Sequence, residues 1–166
     1  MCIRDRAGAV KKGGAGCYCP ENSLLRALVS HLLLEGDSAL VLDMEAGIEH
    51  LGRGTLQSVD RLLVVVDPGR RSVETALRIQ TMASDIGLTK ISLVGNKIRS
   101  ARDEAFLLDL LPGMPFAGFI PYDDRVRDAE AAGRSAWGAS DAVQKAIGTI
   151  VTEIEKSLEG PAGPGK

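Results

Sequence analysis

Ala39-Leu40-Val41-Leu42-Asp43-Met44-Glu45-Ala46-Gly47 is the stretch on which the fold turns. An apolar run that delivers an Asp at its end is a buried strand whose carboxyl edge carries chemistry. An Asp so placed can hold a magnesium-bound water, and a Gly four residues on can offer its N–H to a phosphate. The same spacing also fits a strand followed by a Gly-rich turn, with the Asp capping what comes next. A phosphate-sensing switch works only beside a Gly-rich loop with its Lys, and no such loop precedes it in these 166 residues.

Outward from this run, helix and strand signals alternate. Pro20 suits a first helical position, and Leu24, Leu25, Leu28, Val29, Leu32 and Leu33 share one helical face before Gly36. Leu62-Leu63-Val64-Val65-Val66 is the next strand, closed by Asp67-Pro68-Gly69. Ser72 is placed to cap a helix running to about Gly87, with Ala76, Leu77, Ile79 and Met82 facing inward. Ile91-Ser92-Leu93-Val94 is a third strand, with Asn96-Lys97 at its C-terminal end. A helix over about 102–111 leads to the short strand Phe116–Ile120, ending at Pro121. A last helix over about 139–158 spaces Val143, Ala146, Ile147, Ile150, Val151, Ile154 and Leu158 along one side.

Near-continuous apolar strands separated by helices define an α/β fold, a mostly parallel sheet with helices on both faces. In such sheets ligands bind outside the carboxyl ends of the strands. Asp43, Asp67, Asn96 and Pro121 all fall at such ends, so one edge of the sheet is lined with polar groups. Asn96 could read a base edge through its amide while the Lys97 stem packs on the ring, and Pro121 with the Asp123 region could close the other side. A strand-end Asn is also an ordinary turn residue.

Composition narrows the function classes. Apolar residues make up 45% and charged residues 25% of the chain, as in ordinary globular domains. The net charge of -2, without a long basic run, gives no footprint for nucleic acid or an anionic membrane. No apolar stretch approaches the roughly 20 residues of a membrane span, and the last helix carries Glu153, Glu155, Lys156 and Glu159 rather than a basic strip. Three Cys without a disulfide pattern suit a reduced cytoplasm. The first six residues, Met1-Cys2-Ile3-Arg4-Asp5-Arg6, match nothing that follows and read as a foreign leader. Residues 7–158 read as part of one domain, and 159–166 as a Gly/Pro-rich disordered tail.

Cys17-Tyr18-Cys19 precedes Pro20-Glu21-Asn22 at a helix N-terminus, whose positive end favours thiolates. One pair supplies half of a tetrahedral sulfur site, and two identical pairs in a symmetric dimer would complete it. Two packed or redox-idle thiols fit the same pattern. Lys12-Gly13-Gly14-Ala15-Gly16 is not a phosphate loop, because Cys17 and Tyr18 stand where Lys and Ser/Thr must follow. His31 and His50 lack metal-ligand spacing to each other.

Taken together, Gly16-Cys17-Tyr18-Cys19-Pro20-Glu21-Asn22, the segment Asp43-Met44-Glu45-Ala46-Gly47-Ile48-Glu49-His50-Leu51-Gly52-Arg53-Gly54-Thr55, and Gly95-Asn96-Lys97 resemble one family. It is the CooC-type accessory ATPases that mature nickel-containing carbon monoxide dehydrogenase, within the MinD/ParA-like group of dimeric P-loop NTPases. The resemblance covers roughly residues 8–135. It implies that Cys17 and Cys19 form, with their dimer mates, an interfacial site for Zn2+ or Ni2+. Asp43 would be the strand-end Asp near Mg2+ and Gly47 the switch glycine facing the γ-phosphate of ATP. Asn96, with Lys97, would contact adenine, with Pro121 beside it. ATP would close the dimer and hydrolysis open it, in the cytoplasm, with carbon monoxide dehydrogenase as client.

The departure from that family is at the front. Its first strand, its Lys-Gly-Gly-x-Gly-Lys-Thr loop and an early catalytic Asp are all expected before the Cys pair, and this chain lacks them. The resemblance thus describes a fragment of the fold without the P-loop strand, and without ATPase activity of its own. In the family that strand lies between those equivalent to 39–43 and 61–66, so its loss leaves two apolar edges facing an empty slot. Two further functions fit parts of the pattern: a non-catalytic metal-binding dimerisation module, and a partition or positioning ATPase of the same superfamily.

Overall fold

The computed structural model describes Asp60–Leu158, together with Ala39, Val41 and Asp43. The described elements belong to the unit that begins at Asp60. The expected leader, first helix and tail lie outside the described residues, as does the switch segment after Asp43. Of the expected buried strand 39–43, Ala39, Val41 and Asp43 are described: none is in a strand and all are exposed, Val41 at 85%. What is described is α/β, with a three-stranded parallel sheet in the order β1-β2-β3.

β1 is Leu62–Val66, five β-branched or leucyl residues suited to a pleated surface. In register, Val64 lies beside Leu93 and Val66 beside Gly95 of β2, Ile91–Ile98. Among the described residues β1 has a strand neighbour on one side only. The next element, α1, is Arg70–Asp85, with Gly69 as N-cap. Ser72 is therefore not the cap. It sits in the first turn, where its Oγ accepts the Asp67 backbone N–H at 3.0 Å and ties the helix to the strand end. Gly87, at φ +78, ends the helix. It donates to the Ser84 carbonyl while Leu88 donates to Ala83, the paired bonds of a Schellman close that needs a left-handed residue.

β2 runs four residues beyond the expected Val94, because backbone pairing with β3 continues past the polar Asn96-Lys97 to Ile98. α2, Ala101–Leu110, starts at Ser100, and Asp103 Oδ2 accepts the backbone N–H groups of Arg99 and Ser100 at 2.8 and 3.2 Å. β3 is Phe116–Pro121. α3, Asp124–Ala131, has no counterpart in the sequence expectation, and α4 is Asp141–Leu158.

Strand alternation assigns the two faces. Val64, Val66 and Leu93 look toward α1 and α2 and join Val73, Ala76, Leu107, Leu111 and Met114 in the main core. Ile79 packs against this cluster as expected, whereas Leu77 is 41% exposed. The buried stripe of α1 is Val73, Ala76 and Ala83, which leaves Leu77 on its flank. On the opposite face α4 lies across β3, with buried Ile150 over Gly118. A side chain at Gly118 would meet Ile150 Cγ1 at 2.6 Å, so only glycine lets the helix come this close. Val151 and Leu158 of α4 are exposed rather than inward. Helices therefore cover both faces, although α4 leaves Leu63 and Val65 of β1 largely exposed, the latter at 60%.

Candidate functional site

Three strand ends meet at the carboxyl edge. Asp67 follows β1 directly, and register places it next to Asn96, since Val66 pairs with Gly95. Asn96 Nδ2 donates to Asp67 Oδ1 at 3.1 Å, and Lys97 Nζ donates to Asp67 Oδ2 at 2.8 Å. In a regular strand residues 96 and 97 would point to opposite faces. Here the β2–β3 register shifts between Gly95 and Ile98, and Lys97 takes φ +56, left-handed for a non-glycine residue. That local bulge lets two consecutive side chains reach one carboxylate. The cost of such a backbone is on the order of 1 kcal/mol, and the Asp67 contacts are what hold it.

The Lys97 ammonium is kept protonated: its hydrogen bond to Asp67, and then the charge of Asp67, raise its pKa above the usual lysine value. Both partners are substantially exposed, so the pair fixes geometry more than it adds stability.

Pro121 closes β3 opposite Ile98, and the next residue, Tyr122, donates its N–H to the Ile98 carbonyl at 2.8 Å. The Arg99 guanidinium lies 4.1 Å from the centre of the Tyr122 ring, a cation–π contact. Asp123 is the N-cap of α3. It accepts the Arg125 backbone N–H at 2.9 Å, and its Oδ2 pairs with the Arg125 guanidinium at 2.7 Å. The Arg125 guanidinium, then the Ser140 hydroxyl and the Arg125 N–H, hold the Asp123 carboxyl well below the usual carboxylate range. This end of the sheet thus combines an amide, an ammonium and an aromatic–guanidinium stack.

Of the residues singled out in the sequence, Asn96 and Lys97 come together on Asp67. Pro121 ends the neighbouring strand. Asp43 is described and exposed. Gly47, Cys17 and Cys19 lie outside the described residues. Among the described residues no group of three or more His, Cys, Asp or Glu side chains could hold a metal ion, and no helix is long and apolar enough to cross a membrane.

The whole chain compares clearly with one group of proteins. It is 42% identical over 150 residues to the carbon monoxide dehydrogenase accessory protein CooC of Rhodospirillum rubrum, covering 90% of this chain and 57% of that protein. The chain belongs to the CooC-type family. A second relative, an ATP-binding protein of Methanocaldococcus jannaschii, is 42% identical over 130 residues, covering 76% of this chain and 50% of that protein. The chain therefore spans about half the length of the curated relatives it matches. The fold agrees: the MinC:MinD cell division protein complex of Aquifex aeolicus superposes with a TM-score of 0.50 at 21% identity, over 74% of this chain and 50% of that one. No family model matches.

Sequence inspection placed Asp67 at a strand end but gave it no role. Its signal was the Asp-Pro-Gly closure of β1 in register with Asn96. The Arg99–Tyr122 pair carried no sequence signal, because its residues stand on different strands' ends and meet only through the β2–β3 pairing.

Proposed function

We propose that the whole protein is an ATP-dependent metallochaperone that serves nickel insertion into carbon monoxide dehydrogenase, and that this chain carries its base-binding edge. The 42% identity to CooC over 90% of the chain is the observation that supports this most. Within it, Asn96 offers an amide to adenine, the Lys97 stem lies beside it, and Pro121 borders the pocket. The amide at a parallel-sheet carboxyl edge fits a purine base, since Asn pairs with adenine through two hydrogen bonds. Asp43 would face the magnesium side and Gly47 the γ-phosphate, where a divalent ion supplies charge neutralisation. Cys17 and Cys19 would bind Zn2+ or Ni2+ across a homodimer, two thiolates from each chain. The place of action is the cytoplasm.

Native mass spectrometry of chain 1–166 during zinc and nickel titration tests the metal and dimer assignment. One metal per two chains is expected, lost in the variant with both C17S and C19S. A monomer that takes no metal, or metal retained by the double variant, would remove the Cys pair from the function.

A further inference from the structure

Ile98 faces the wrong way for its place in β2. Side chains of a regular strand alternate between the two faces. With Leu93 on the core side, residues 95 and 97 belong to that side and residues 96 and 98 to the other. Yet Ile98 is buried in the same cluster as Val64, Val66 and Leu93, while Lys97 is exposed with its Nζ on Asp67. The change of side falls at the register shift between Gly95 and Ile98, where Lys97 takes φ +56. Three residue steps on β2, from Gly95 to Ile98, are matched there by two on β3, from Phe119 to Pro121. Either residue 97 or residue 98 must fill the core position. A lysine there would carry its ammonium out of water, which costs far more than one left-handed residue. Burial of the isoleucyl side chain offsets the strain instead.

We infer that Ile98 is a positioning residue for the carboxyl edge, spacing the two sides of the base pocket from inside the core; this rests on the base-pocket assignment above. By taking the core position, Ile98 turns Lys97 out to the side of Asn96, so that both reach Asp67. Its backbone fixes the opposite side. Ile98 pairs with Pro121, and its carbonyl accepts the Tyr122 N–H at 2.8 Å. The Tyr122 ring in turn carries the guanidinium of Arg99, the residue after Ile98. Ile98 acts through the spacing of Asn96 and Lys97 against Pro121, without contacting the base.

The test exchanges the two residues in chain 1–166. In K97I/I98K the apolar side chain falls where plain alternation wants it, so β2 is expected to run on as a regular strand. NMR reads the change, because positive φ brings a residue's own amide and α protons unusually close. That strong contact is expected at residue 97 in the parent and absent from the exchanged chain. AMP, titrated by calorimetry, is expected to bind the exchanged chain about 10-fold more weakly than K97G, the equivalent of one lost contact. K97G also lacks the lysine, but its glycine takes the left-handed turn freely. A contact that persists in the exchanged chain, or is missing from the parent, overturns the inference with no nucleotide involved. Equal AMP affinity in K97I/I98K and K97G overturns it while leaving the base pocket standing. A parent chain that binds no AMP defeats the base pocket, and the positioning role with it. If far-ultraviolet dichroism shows the exchanged chain unfolded, K97G and K97A decide. Glycine gives the higher urea midpoint only where φ is positive, so K97G is expected above K97A, and the reverse order overturns the inference.

Discussion

Gly118→Ala puts a methyl group where Ile150 already packs. The added Cβ would lie 2.6 Å from Ile150 Cγ1, 3.3 Å from Cδ1 and 3.9 Å from Cβ. Carbon atoms pack well at about 3.5–4.0 Å, so the Cγ1 approach is short by roughly 1 Å and the Cδ1 approach by a few tenths. Ile150 is buried and anchors α4 to β3, so relief requires moving the helix. Overpacking of this kind costs about 1–3 kcal/mol. Ile150→Ala deletes Cγ1, Cγ2 and Cδ1 and costs about 2–5 kcal/mol. In the double variant the new methyl meets only the retained Cβ at 3.9 Å, so the contact term vanishes. The two single costs should exceed the double cost by about 1–3 kcal/mol. Any backbone cost of alanine at residue 118 is common to both backgrounds and cancels. Ile150→Val is the control. It removes Cδ1 but keeps a carbon at the Cγ1 position, so Gly118→Ala should cost the same there to within about 0.5 kcal/mol. Urea denaturation followed by helical circular dichroism, at constant m, gives all four corners of each cycle. Additivity of Gly118→Ala with Ile150→Ala would refute the docking of α4 on β3 through this contact.

Three further outcomes follow from the same contacts. The depressed carboxyl of Asp123 links stability to pH. With the folded value below the ordinary 3.8, its contribution is fully present above about pH 5 and is lost as pH falls through 3.8 toward the folded value; acid titration of Asp123→Ala should lack that part of the loss. Ser72→Ala removes the acceptor of the Asp67 N–H and should lower the urea midpoint by the equivalent of about 0.5–1.5 kcal/mol, with α1 retained, because Gly69 and not Ser72 caps the helix. Purified chain 1–166 should hydrolyse no ATP above background, since its sequence holds no Gly-rich loop ending in Lys-Ser/Thr. Magnesium-dependent turnover in a phosphate-release assay would overturn that expectation.

The polar edge was legible because strand ends in a parallel sheet must converge there, whatever the side chains. Asn96 and Lys97 could be named from their position after an apolar run. Their union on Asp67 could not, because it depends on a register shift and a left-handed Lys97 that alternation argues against. α3 was missed for a related reason. Asp124–Ala131 buries only Ala129 and offers no apolar stripe, and its local signal was the Asp123 cap with Arg125.

By itself the sequence determined the alternation of strands and helices, the spans of β1 and β3, the face of α4 that carries Ile150, and the family. Each rests on apolar periodicity or on a contiguous motif, and both are local properties of the chain. Tertiary structure alone decided how far β2 extends, that Gly118 admits α4, and that Asp67 gathers Asn96 and Lys97. The extent of β2 and the gathering at Asp67 rest on backbone pairing between strands distant in sequence, and the Gly118 contact on the packing of α4 across β3. Hydrogen-bonded register, and not side-chain polarity, sets the strand contacts.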